Sequence, residues 1–180
     1  DLEKRTHKVD LKSIKPNLDP KYFATNHNLA WLLFREGMIV EADTLVGSLL
    51  QQSAPPDLYL LRMSAQAQMD SIDNAISRYY WLGSNYSNLK GMAAHMLAIF
   101  YYEKGLPEMS AFLFHEAAEA GMEVDRINEA LMWADLGLHD QAYEQLAVCR
   151  ADFPSLSKML DHEMALIDYA HGTEARFIFW

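Results

Sequence analysis

Five turn positions, Gly37, Asp70, Gly105, Gly137 and Gly172, recur along the chain at intervals of 33, 35, 32 and 35 residues. A period of that length marks a helical hairpin copied in tandem, since two amphipathic helices with their loops occupy roughly 30–45 residues. The copy between Gly91 and Gly121 is the most complete. Met92, His95, Met96, Ile99, Phe100 and Tyr102 recur at helical spacing, Gly105 stops the first helix, Pro107 opens the second, and Gly121 closes it. Neither helix can hide its apolar face alone, so copies must stack.

The neighbouring stretches repeat the pattern. From Lys21, the residues Phe23, Leu29, Ala30, Leu33 and Phe34 share one face that ends at Gly37, and Ile39, Ala42, Leu45, Val46, Leu49 and Leu50 form a second helix broken at 53–56. Pro55 and Pro56 suit the entry to a helix through Leu58, Leu61, Met63, Ala65 and Ala67. Ser71 then caps a helix through Ile72, Ala75, Ile76, Tyr79 and Leu82, with a loop at 83–87. A fourth pair runs from Asp125 to Gly137 and from His139 to Pro154, and a fifth begins near Ser157 and stops at Gly172. Phe177 to Trp180 either open a further helix of a longer chain or fold back as a cap. The sequence thus divides into a lead-in, residues 1–20, and one helical domain, residues 21–180.

At 180 residues and 51% hydrophobic content the chain can bury roughly 70% of its unfolded surface, enough for a well-cored domain. No apolar run reaches the ~18 residues needed to span a bilayer. Asp1 stands where an initiating Met would, which points to a processed chain or an excised piece. The formal charge of -10 argues against a nucleic-acid surface. The charge is uneven: the first 21 residues hold six of the fifteen Lys and Arg against four acids, a net +2. That basic lead-in reads either as a solvated tail or as a segment following a membrane anchor, the one indirect route to a membrane. The single cysteine, Cys149, excludes an intrachain disulfide and reads as a small buried packing residue.

The chain resembles the tetratricopeptide repeat family. The likeness rests on Leu29, Ala30, Leu33, Gly37, Ala42 and Pro55 in the first unit and on Leu97, Ala98, Tyr101, Gly105, Phe114 and Ala117 in the third. Ala130, Trp133, Gly137, Ala142 and Pro154 carry it in the fourth. The second unit departs from it, with Asp70 at the turn and with Arg62 and Gln66 where apolar residues are expected, and the AAEAG close of the third unit resembles the related Sel1-type repeats. The resemblance implies an all-α fold, a right-handed α-solenoid of about four and a half antiparallel hairpins, in which the first helices line a concave groove. The groove positions it implies are His27, Trp31, Phe34 and Arg35, then Leu60, Ser64 and Gln68, then His95, Ile99, Tyr102, Glu103, Leu131 and Asp135, with His162 closing the row.

Members of the family that clamp a chaperone's terminal carboxylate use Lys, Arg and Asn at such sites, whereas this chain has Ala24, His27 and Trp31. That function is therefore not implied. The residues fit a non-catalytic scaffold that holds an apolar anchor of a protein or peptide partner, with Arg35, Glu103 or Asp135 fixing its orientation. The alternative role for Trp31, Phe34 and Tyr102 is packing between units. A different class of function would be the cytosolic or periplasmic scaffold portion of a membrane-anchored assembly or secretion complex, contacting partners through its ends or convex face.

No catalytic set, metal site or cofactor is expected. HEAAE at residues 115–119 matches the zinc-protease pattern only until Glu119 stands where a second His is required. SLSK at 155–158 has the spacing of serine-lysine acylases without their companion motifs, and reads as a helix cap. Asn85-Tyr86-Ser87 is a formal glycosylation sequon in an expected loop. The Met residues 63, 69, 92, 96 and 109 read as gap-filling core.

Overall fold

A computed structural model describes residues 13–53, 55–69 and 72–170. Among them are nine α-helices and no strand. The turn residue Asp70, the cap Ser71, Gly172 and the 177–180 terminus lie outside the described residues. Contacts divide the chain into two units, one ending at Ser71 and one beginning at Ile72. The division falls at the turn of the second expected hairpin.

The first unit holds α1 (Phe23–Arg35), α2 (Ile39–Leu49) and α3 (Pro56–Gln68), each packed on the next. Its core is aliphatic: Ala30 and Leu33 of α1, Ala42, Leu45, Val46 and Leu49 of α2, and Leu58 and Leu61 of α3. Fully burying one such leucine is worth about 1.5–3 kcal/mol. Arg62, at an expected apolar position, pairs with Asp43 of α2 at 3.2 Å. Part of the lead-in is ordered against this unit. Asn26 donates to the Asn17 carbonyl and Gln52 to the Leu18 carbonyl, both at 2.7 Å. Ile14, Pro16 and Leu18 line a depression of about 520 Å³ with Met38, Val40 and Leu45.

The second unit holds α4 (Ile72–Asn85), α5 (Lys90–Glu103), α6 (Pro107–Glu119), α7 (Asp125–Asp135), α8 (His139–Asp152) and α9 (Ser157–Ala170), each again packed on its successor. Ile127, Ala130, Ala142, Leu146, Cys149, Leu160, Met164 and Ile167 form one core cluster across its last three helices. The expected loop at 83–87 is shorter than its sequence suggested. α4 continues through Gly83 to Asn85, whose side chain donates back to the Trp81 carbonyl at 2.8 Å. Of the five methionines read as core, only Met63 is fully buried, while Met92 and Met109 are exposed.

The periodic glycines have one local cause. In α1, the Gly37 amide bonds the Phe34 carbonyl and the Met38 amide bonds the Leu33 carbonyl, so the helix closes on a left-handed glycine with φ 77°. Gly105 and Gly137 repeat this with Leu106 to Tyr101 and Leu138 to Trp133. The residue after each glycine then becomes the cap of the next helix, its carbonyl accepting from Ala42, Ser110 or Ala142. Those three small residues are wholly buried, as are Ala30, Ala98 and Ala130 on the preceding helices. Ser110 shows how close the helices come: its hydroxyl donates to the Ala98 carbonyl at 2.9 Å.

Candidate functional site

Three first-helices of the second unit present one row each to a common concavity of about 620 Å³. α5 supplies His95, Ile99 and Tyr102, α7 supplies Asn128, Leu131 and Asp135, and α9 supplies Glu163, Leu166 and Ala170. Within each helix these residues lie three or four apart, which stacks them on one face. Phe114 of α6 and His139 at the start of α8 also line it, as do Met132, Ala134 and Ile167.

The apolar part of the groove faces solvent. Ile99 is 40% exposed, Tyr102 51% and Leu166 50%. Side chains of this kind inside a concave surface, rather than scattered on a convex one, are the usual composition of a recognition groove.

One end of the groove is built on a buried carboxylate. His95 Nδ1 lies 2.9 Å and 3.0 Å from the two oxygens of Asp125, which is only 2% exposed. Asn128 donates to the same carboxylate at 2.6 Å. Asp125 also opens α7, where the helix dipole favours negative charge. These partners offset the cost of burying the carboxylate. Phe114 meets the His95 ring edge-on at 5.8 Å, so the imidazole is held from two directions.

The other expected positions fall elsewhere. Trp31, Phe34 and Arg35 line a shallow surface on α1 with Asn28 and Leu32. Trp31 and Phe34 are half-buried, contact each other edge to face at 6.4 Å, and pack against the first unit's core. His27 Nε2 pairs with Asp57 Oδ2 at 2.5 Å. Leu60 and Ser64 are buried and Gln68 is exposed. Glu103 and His162 are exposed and do not line the groove; Glu163, next to His162, does.

Sequence reasoning missed Asn128, Glu163, Leu166 and the Asp125 support. A signal for the last was present, because His27 and Asp57 are separated by the same 30 residues as His95 and Asp125. A pair at nearly one repeat length joins equivalent helices of adjacent repeats.

Other ionisable clusters are structural in character. His115, of the HEAAE stretch, sits 3.2 Å from Glu129, whose carboxyl is pushed above its usual range chiefly by burial. Lys90 bonds Glu116 at 2.7 Å and holds that carboxyl below its usual range. Cys149 is buried and its thiol is pushed up by that burial, which disfavours the nucleophilic thiolate. Among the described residues no group of three or more His, Cys, Asp or Glu could hold a metal ion, and no helix is long and apolar enough to cross a membrane.

No protein-family model matches the chain, and no curated protein matches it. Among solved structures it is similar to a tetratricopeptide repeat protein from Parabacteroides merdae, with a TM-score of 0.62 and 18% identity over 88% of this chain. The chain spans 62% of the length of that protein. Likeness at this identity speaks to the fold alone, and the fold is an all-α helical repeat of the tetratricopeptide type.

Proposed function

We propose that this chain is a non-catalytic interaction module that receives a segment of a partner protein in the α5–α7–α9 groove. The observation carrying the proposal is the exposure of Ile99, Tyr102 and Leu166 inside a concavity whose walls are three successive first-helices. Folding leaves these side chains in water, and docking of a complementary apolar anchor would remove them from it at about 25 cal/mol per Å². A helical-repeat fold suits the role, since its groove exists before the partner arrives and little ordering cost remains to be met. A lytic or transfer reaction finds no support in the lining: His95 and Asp125 have no serine or cysteine beside them in the groove.

The test is capture from a lysate of the source organism with wild type against the Ile99→Ala/Tyr102→Ala double variant, both shown to be equally helical. The expected result is a partner held by the wild type and lost by the variant. Equal capture by both would reject the groove as the binding surface.

A further inference from the structure

The groove's charge narrows the chemistry of what it holds; the inference rests on the groove reading above. Its acidic and imidazole lining residues are Asp135, Glu163, His95 and His139, and no Lys or Arg is among the lining residues. Neither Asp135 nor Glu163 has an ion-pair partner among the described residues. Three cations of the same unit are engaged elsewhere, Lys90 with Glu116 at 2.7 Å, Arg126 with Asp152 at 2.9 Å, and Arg150 with Asp161, while Lys158 at the start of α9 does not line the groove. Lys104 stands over the Phe100 ring at 5.4 Å. The apolar strip of Ile99, Tyr102 and Leu166 is therefore bordered by two carboxylates with no Lys or Arg in the lining to offset them.

From this we infer that the occupant is a protein segment with an apolar anchor flanked by Lys or Arg, the opposite charge sense from an acidic peptide. An acidic segment would bring like charges together as both sides lost water, a loss that disfavours the wrong partner more than it weakens the right one. A second copy of this chain is a poor occupant on the same ground, because each carries a formal charge of -10.

The probes are three synthetic helical peptides with identical leucine and phenylalanine anchors, flanked by lysine, glutamine or glutamate, and measured against the full chain by fluorescence anisotropy. The lysine peptide should bind about tenfold more tightly than the glutamine peptide, and the glutamate peptide more weakly than either. High salt and the Asp135→Asn/Glu163→Gln variant should each bring the lysine and glutamine peptides to within about twofold. Ile99→Ala/Tyr102→Ala should abolish binding of all three.

Equal binding of the lysine and glutamine peptides, both lost in Ile99→Ala/Tyr102→Ala, would overturn the charge inference and leave the groove reading intact. No binding of any peptide would remove both. Self-association of the free protein that Ile99→Ala/Tyr102→Ala disperses would give the groove to another copy. A tenfold gain in lysine-peptide affinity on Phe177→Ser/Phe179→Ser would give it to the chain's own terminus. Either result would overturn the assignment to an outside partner.

Discussion

His27, Trp31, Phe34 and Arg35 of the first unit and His95, Ile99, Tyr102 and Glu103 of the second stand at identical distances before Gly37 and Gly105. The two sets meet different surroundings. Trp31 and Phe34 lie half-buried against the core of their own unit, while Ile99 and Tyr102 stay exposed in a groove shared with α7 and α9. The histidines diverge as well. His27 pairs through Nε2 with a partly exposed Asp57, and His95 pairs through Nδ1 with the buried Asp125. A large side chain at the groove register is thus half-buried or exposed according to the helices that flank it. The repeat assigns a position, and the neighbours assign its job.

The largest test of this contrast replaces the matching pairs, Trp31 and Phe34 in the first unit and Ile99 and Tyr102 in the second. Trp31→Ala/Phe34→Ala should cost about 2–4 kcal/mol in urea unfolding, because half-buried rings leave space behind them. Ile99→Ala/Tyr102→Ala should stay within about 1 kcal/mol of wild type, as expected for exposed side chains. Similar losses in both would erase the distinction between packed and exposed pairs.

The carboxylates should differ next. Asp125→Ala strands the His95 and Asn128 donors and should cost about 2–3 kcal/mol, while Asp57→Ala, at a more solvated pair, should cost about 0.5 kcal/mol. Urea midpoints at neutral pH decide it, and equal losses would mean burial is not what separates the two pairs.

A smaller effect should be common to both regions. Gly37→Ala and Gly105→Ala each force a β-carbon into the left-handed conformation, with φ of 77° and 72°, and nothing lies within 4 Å of either added atom. Each should therefore cost about 1–2 kcal/mol through backbone strain alone. Unequal melting shifts would show that the two turns are not equivalent.

The smallest expected changes are pH-dependent and sharpen the contrast between buried and solvated acids. The raised Glu129 pKa means its favourable contribution is present at low pH and is lost as pH rises through the raised value. Glu129→Gln should consequently gain stability relative to wild type as pH rises from the ordinary glutamate range through the raised value. Glu116 is held low by the Lys90 hydrogen bond, so its contribution is present above the ordinary glutamate range and is lost as pH falls through the lowered value. Glu116→Gln should be less stable than wild type at and above the ordinary glutamate range, by under about 1 kcal/mol because the pair is partly solvated, and the deficit should fade as pH falls through the lowered value. Thermal melts across pH check both signs.

Hairpin boundaries were legible because they depend on local chemistry. Gly37, Gly105 and Gly137 end their helices through hydrogen bonds made within a few residues, and Pro107 starts one where its missing amide costs nothing. Ala30, Ala98 and Ala130 could be read as close-approach positions for the same reason: the repeat places them at one register. Asn85 shows the limit, since the extra turn of α4 was hidden by glycine and serine residues that usually mark a loop.

The chain's own order of residues determined that helices form, where they turn and which face of each is apolar, because periodicity and capping act over one or two turns. Which of those faces stays open was decided only by tertiary structure. Whether Trp31 and Phe34 are packed and Ile99 and Tyr102 left in water, and whether Glu163 rather than His162 borders the groove, depends on side chains brought together from tens of residues away. Exposure belongs to the assembled neighbourhood, and one helix's sequence pattern cannot specify it.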